Sequence, residues 1–159
     1  MNLNNNLNNK NNKILIGIAG EYLVAAELSK LGYIASITLR NTKGVDIVCF
    51  DSEVKRVIGI QVKTNQGLQK EWILNKKVEE FYSDNLFYVF VNLNNNERNP
   101  DFFIVPIKKV AEYCRIDHKK WLNTKVMRNQ KHHDNPIRKF KDEKSKYLNR
   151  WDLLNLTNN

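Results

Sequence analysis

The 159-residue chain reads as an α/β domain, a central sheet flanked by helices. Three observations predict it. Apolar residues recur at helical spacing over residues 14–31 and stop before Gly32. Three β-branched and aromatic runs then follow one another with short links. Further on, residues 86–93 (LFYVFVNL) are almost wholly apolar, the pattern of a central strand covered on both faces.

The elements follow in order. Residues 1–12 contain eight Asn, a low-complexity stretch expected to be a disordered tail ahead of a single domain over 13–159. The first helix carries an apolar stripe of Ile14, Ile18, Val24, Ala25, Leu28 and Leu31, with Gly17 and Gly20 weakening its start. Strands are expected over 33–39, 45–50 and 57–64, an antiparallel meander. Residues 76–82 read as a short helix, 86–93 as the central strand and 102–105 as a further strand. Pro106 opens a helix to about Cys114, and Tyr147, Leu148, Trp151 and Leu154 space a closing amphipathic helix over 144–154. Residues 115–146 show no clear periodicity.

Charge divides the chain unevenly. The formal net charge is +9. Residues 1–107 hold 12 Lys/Arg against 11 Asp/Glu, whereas 108–150 hold 14 against 5, so residues from about 108 to 159 form a basic C-terminal extension. Such a field attracts polyanions, nucleic acid first, or else it is a solvated basic surface. No run approaches about 18 consecutive apolar residues, so no membrane partner is expected. No secretory signal is expected either, and two cysteines build no disulfide framework; a cytoplasmic setting follows. Cys49 is expected to be a small buried apolar residue. Cys114, His118, His132 and His133 match no usual zinc spacing.

Four residues break their local patterns. Glu21 lies on the stripe of the first helix, where a carboxylate needs a cationic partner, a metal or a raised pKa, unless it sits at an edge that reaches water. Asp46 opens the second strand, a position equally suited to an ordinary turn-end Asp. On the third strand Ile58, Ile60 and Val62 face one way, while Gln61 and Lys63 leave the other face, roughly 7 Å apart. Antiparallel pairing of these strands puts Asp46 near Gln61 and Lys63.

This combination resembles the PD-(D/E)XK nuclease superfamily over about residues 14–110. Gly20-Glu21-Tyr22-Leu23-Val24-Ala25-Ala26-Glu27-Leu28 with Gly32-Tyr33 looks like the first helix of Holliday-junction-resolvase-like members. Gly44-Val45-Asp46 matches the metal-binding Asp motif with Val45 in place of Pro, and Gln61-Val62-Lys63 stands where Glu-x-Lys or Asp-x-Lys is usual. The resemblance implies a restriction-endonuclease-like fold, a mixed central sheet flanked by helices (helix, three-strand meander, helix, strand core). It also implies a Mg²⁺- or Mn²⁺-dependent endonuclease hydrolysing DNA phosphodiester bonds in repair, recombination or defence. Glu21, Asp46, Gln61 and Lys63 would be catalytic, and Glu21, Asp46, Gln61 and the Val62 backbone carbonyl would hold one metal ion. A homodimer is implied as well.

A hard divalent cation supplies an activated water and stabilises charge on the scissile phosphate and leaving oxygen. Gln61 contributes a neutral oxygen, so weaker metal binding is expected. Lys63 would orient the attacking water; alternatively it pairs structurally with Asp46 or Glu21 in a relative that binds nucleic acid without cutting. Lys108, Lys109, Lys119, Lys120, Lys125, Arg128, Lys131, Arg138 and Lys139 would meet phosphates, as would Arg40, Asn41 and Lys43 before Asp46. Six such contacts would make affinity fall about 10³-fold between 50 and 200 mM salt. For Trp72, Trp121 and Trp151 core packing is preferred, with base stacking by Trp72 as the alternative.

Overall fold

The computed structural model describes residues 3–39, 44–80, 82–124 and 132–156, and only the backbone of residues 3–11. Helix α1 (Leu3–Lys30) is followed by β1 (Ile34–Ile37), β2 (Ile47–Phe50), β3 (Val57–Asn65) and β4 (Glu71–Asn75). Then come β5 (Leu86–Asn92), β6 (Asp101–Pro106), α2 (Ile107–Asn123) and β7 (Ile137–Lys141). A five-stranded sheet has the order β1-β2-β3-β5-β6, and β4 and β7 form a separate two-stranded ribbon. β1, β2 and β3 are the antiparallel meander, β3 and β5 pair in parallel, and β5 and β6 are antiparallel. The sheet is therefore mixed and flanked by helices, the α/β class expected.

Two apolar layers hold it together. On one face Val24 and Leu28 of α1 pack with Ile58, Ile60 and Val62 of β3 and Val89 and Val91 of β5. On the other, Ile107, Val110 and Cys114 of α2 pack with Tyr88, Phe90, Phe103, Trp72 and Phe140. Trp72 is 1% exposed, its ring 4.8 Å from Phe90 and 5.1 Å from Phe103, so it is core and cannot stack on a base. Trp151 rests against Phe102 with ring centres 5.5 Å apart.

Helix α1 ends as its Gly32 predicts. Gly32 has φ +86° and donates to Ser29, while Tyr33 donates to Leu28 at 3.0 Å, a Schellman arrangement that satisfies two terminal carbonyls. The start differs: α1 begins at Leu3, inside the Asn-rich stretch expected to be a tail. A helix already nucleated by packing gains one backbone hydrogen bond for each residue it adds. The buried line also differs, running Gly20, Val24, Leu28, with Ile14 and Leu31 exposed and Glu21 half-buried beside it.

Other elements depart further. In place of the short helix expected over 76–82, Lys76–Glu80 form a 3₁₀ turn. β7 lies within the stretch that lacked periodicity, because its ladder runs to β4, more than 60 residues earlier, from Glu71↔Lys141 to Asn75↔Ile137. The expected closing helix is replaced by turns, a bridge between Phe103 and Leu148, and a 3₁₀ turn at Trp151–Leu154. Asp142 holds this turn by accepting from the backbone of Lys146 and Tyr147, both at 2.9 Å, a competition with helical bonding that Asp offers readily. Among the described residues no helix is long and apolar enough to cross a membrane.

Candidate active site

β2 and β3 pair only as far as Ile47↔Ile60. Gly44, at φ +76°, turns the chain into Asp46, whose backbone N–H donates to Ile60 at 2.8 Å. Beyond that point β3 runs on to Asn65 without β2 beside it. The Asp46 carboxylate fills the first vacant rung: its Oδ2 accepts from the Val62 N–H at 2.7 Å. Among the described residues no donor meets the other oxygen.

The strand's alternation sets what else faces this edge. Gly59 N–H and Asn65 C=O bond toward β5, whereas Ile60 C=O and Val62 N–H bond toward Asp46. A residue's N–H and C=O leave a strand on the same side, so the Val62 carbonyl also faces the open edge beside Asp46. Gln61 and Lys63 flank Val62 and leave the sheet on the α2 face, in register with Tyr88 and Phe90 of β5. Both are half-buried. Among the described residues Lys63 makes no ion pair with Asp46, one of the two pairings, with Asp46 or Glu21, expected of a non-cutting relative.

Helix α1, which carries Glu21, meets this end of β3 on the other face. α1 covers the side of Val62 and Thr64, and Gly20 lies against Thr64 so closely that a Cβ on it would fall 1.9 Å from Thr64 Oγ1. Glu21 follows directly, its Cα roughly 3.8 Å from that of Gly20. Asp46, Gln61, Lys63 and the Val62 backbone are thus brought together about one rung of β3, with the helix carrying Glu21 packed one residue beyond, on the opposite face.

Tyr88 was not among the sequence candidates. It pairs with Gln61, shares its face and is 3% exposed. Burial pushes its phenol above the ordinary value, and the neighbouring Cys114 and Asp46 raise it further, so Asp46 lies within electrostatic reach. Its only sequence signal was a lone hydroxyl in the apolar run 86–93.

The basic residues divide into three groups. Arg40, Asn41, Lys43, Lys125, Arg128 and Lys131 lie outside the described residues. Lys108 and Lys109 are exposed on α2 with surface partners, Asp84 at 2.5 Å and Glu112 at 3.2 Å; Lys119 and Lys120 are exposed further along it. Arg138 and Lys139 are spoken for. Arg138 is 5% exposed and donates to Glu79, to Asn135 O at 2.6 Å and to Ile137 O at 3.0 Å, so it is a buried structural cation and not a phosphate contact. Lys139 binds Glu71 across the ribbon at 2.7 Å. Arg138 and Phe140 share parity on β7, and reading a strand there would have put this arginine beside a core phenylalanine.

Among the described residues no group of three or more His, Cys, Asp or Glu is placed to hold a metal ion. The oxygens at the β3 edge are instead one Asp carboxylate, one amide and one backbone carbonyl, a hard donor set.

No family model matches the chain, and no curated protein matches it. Solved structures similar to it include the following two. One is Hjc, a Holliday junction resolvase from Archaeoglobus fulgidus, an archaeal hyperthermophile, at 17% identity and TM-score 0.47 over 82% of this chain and 86% of that one. The other is the bacterial homing endonuclease I-Ssp6803I, at 16% identity and TM-score 0.49 over 89% of this chain and 90% of that one.

Proposed function

We propose that the chain is a metal-dependent endonuclease that hydrolyses DNA phosphodiester bonds at the open edge of β3. The observation that carries this reading is the Asp46 carboxylate, tied by one oxygen to Val62, the residue between Gln61 and Lys63, with no donor among the described residues on the other oxygen. The order of motifs in the sequence, helix Glu, Gly-x-Asp and Gln-x-Lys, supports it.

The donor set fits a small, hard divalent cation. Asp46 Oδ1, the Gln61 side-chain oxygen and the Val62 carbonyl would hold Mg²⁺ or Mn²⁺, with Glu21 bound directly or through water. When bound, the ion would acidify a water and neutralise charge on the scissile phosphate. With so few protein ligands, several positions stay with water, which Mg²⁺ favours. The protein's share is then orientation. The Val62 N–H fixes the Asp46 carboxylate. Gln61 lowers the negative charge of the site by one relative to a glutamate. Lys63, two residues along the same face, orients the water and offsets charge on the phosphate. Exposed Lys119 and Lys120 supply phosphate contacts that carry no sequence information.

A second reading is a nucleic-acid-binding protein that does not cut. Gln61 in place of an acid favours it, as does the lack of a three-acid group among the described residues. One experiment separates them. Plasmid, linear, single-stranded and branched DNA are incubated with the protein and Mg²⁺ or Mn²⁺, beside Asp46→Ala and Lys63→Ala. The endonuclease reading expects cleavage that both substitutions abolish. Cleavage that survives both would exclude this site, and binding without cleavage on every substrate would establish the second reading.

A further inference from the structure

We infer that Gly20 and Thr64 form a steric key that sets the approach of α1 to β3 and thereby holds Glu21 at the candidate site. The inference rests on the metal-dependent reading of that site and assigns both residues a positioning role.

Gly20 is buried, and a Cβ there would meet Thr64 at 1.9 Å from Oγ1, 3.0 Å from Cβ and 3.1 Å from Cγ2. Gly17, about one turn earlier on the same helix, meets nothing within 4 Å. The two glycines therefore differ in kind: alanine is free to replace one, while the other occupies space that only hydrogen fits. The partner is equally constrained. Thr64 is β-branched on a strand, which limits its χ1, and its hydroxyl is buried with no hydrogen-bond partner among the described residues. That hydroxyl acts here as shape.

The position of the contact gives it consequence. Glu21 follows Gly20, and Lys63 precedes Thr64. The two segments that carry the helix acid and the lysine thus touch one residue away from each. An added Cβ falls roughly 1.5 Å short of ordinary contact with Oγ1, and even with that hydroxyl turned away it stays 3.0 Å from the Thr64 Cβ, so helix and strand must still give way. Misplacement of about 1 Å at a reacting centre costs about 10²-fold in rate.

The test compares full-length wild type, Gly20→Ala, Gly17→Ala, Thr64→Ala and Gly20→Ala/Thr64→Ala. Readouts are Mn²⁺ affinity by electron paramagnetic resonance, Mg²⁺-dependent cleavage and Tm. Gly20→Ala is expected to weaken Mn²⁺ binding and to lower kcat about 10²-fold with little change in KM for DNA. The double variant should recover most of that loss, with Thr64→Ala setting the ceiling. Gly17→Ala should match wild type in activity and melt higher. Wild-type Mn²⁺ affinity and kcat in Gly20→Ala would overturn the inference, as would a double variant no better than the single one. Should Gly20→Ala not fold, Thr64→Leu presses on α1 from the strand side and is expected to lose Mn²⁺ affinity that Thr64→Val keeps; equal affinity in the two would overturn the inference. Absence of metal binding and of cleavage in wild type would defeat the nuclease reading itself, whereas an active wild type with an active Gly20→Ala defeats only the key.

Discussion

Asp46 ties β2 to β3 through one oxygen, and in the proposed site the other oxygen would bind the metal; two substitutions separate the two roles. Asp46→Ala removes the acceptor of the half-buried Val62 N–H. Leaving such a donor unsatisfied costs about 1–3 kcal/mol. Asp46→Asn keeps an acceptor of the same shape and loses only the charge assistance, about 1 kcal/mol. For a chain of this size each kcal/mol moves Tm by about 2–4 °C. Thermal unfolding followed by circular dichroism should therefore place Asn about 3 °C below wild type and Ala about 6 °C below. Cleavage with Mg²⁺ should be lost in both, because an amide cannot supply the anionic ligand. An Asn variant as unstable as Ala would refute the hydrogen-bonding role, and an Asn variant that cuts at the wild-type rate would refute the metal-binding role.

Three further outcomes follow from the surroundings of the site. Arg138→Met strands Glu79 of the 3₁₀ turn and should cost about 3 kcal/mol in urea denaturation, while the salt dependence of DNA binding stays unchanged; Lys120→Glu should leave stability alone and reduce the slope of log affinity against log salt by about 1. The Glu71 carboxylate is held below its ordinary value of 4.5, first by the hydrogen bond from Lys139 and with help from Lys141, against the opposing effect of burial. Its stabilisation is then present above pH 4.5 and fades as pH falls through the lower folded value, so Glu71→Gln should cost under about 1 kcal/mol at pH 7 and nothing at pH 2, read by denaturation at both. Burial pushes the Cys49 thiol to about 11 and the Cys114 thiol to about 12, so neither should react with a thiol-specific reagent at pH 8 until the chain unfolds.

The parts of the structure legible in the sequence are those set by local pattern. Gly32 marked the end of α1 because a left-handed residue there is nearly a glycine privilege. The run at 86–93 marked β5 because a strand covered on both faces cannot alternate. Parity and strand order alone put Asp46 near the strand segment that carries Gln61 and Lys63, and the hydrogen bond from the Val62 N–H sets Asp46 against that segment. What escaped depends on partners distant in the chain. β7 exists because β4 offers it a ladder, and no window of residues 115–146 contains that information. Arg138 looked like one cation among many until Glu79 and two carbonyls enclosed it. Over 144–154 the spacing of Tyr147, Leu148 and Trp151 satisfied a helix, but Asp142 captured the backbone donors first. The reading of α1 erred in a subtler way: counting apolar side chains put the stripe through Ile14, whereas the buried line passes through Gly20, which lies close against Thr64 and has no side chain to count.

The central claim is that one divalent cation sits at the edge where β3 outruns β2. Crystals soaked in Mn²⁺ and measured at the manganese absorption edge test it directly. The account predicts an anomalous peak about 2.1 Å from Asp46 Oδ1 and from the Val62 carbonyl oxygen. A fully ordered Asp46 with no peak beside it, or a peak bound only elsewhere on the molecule, would contradict it.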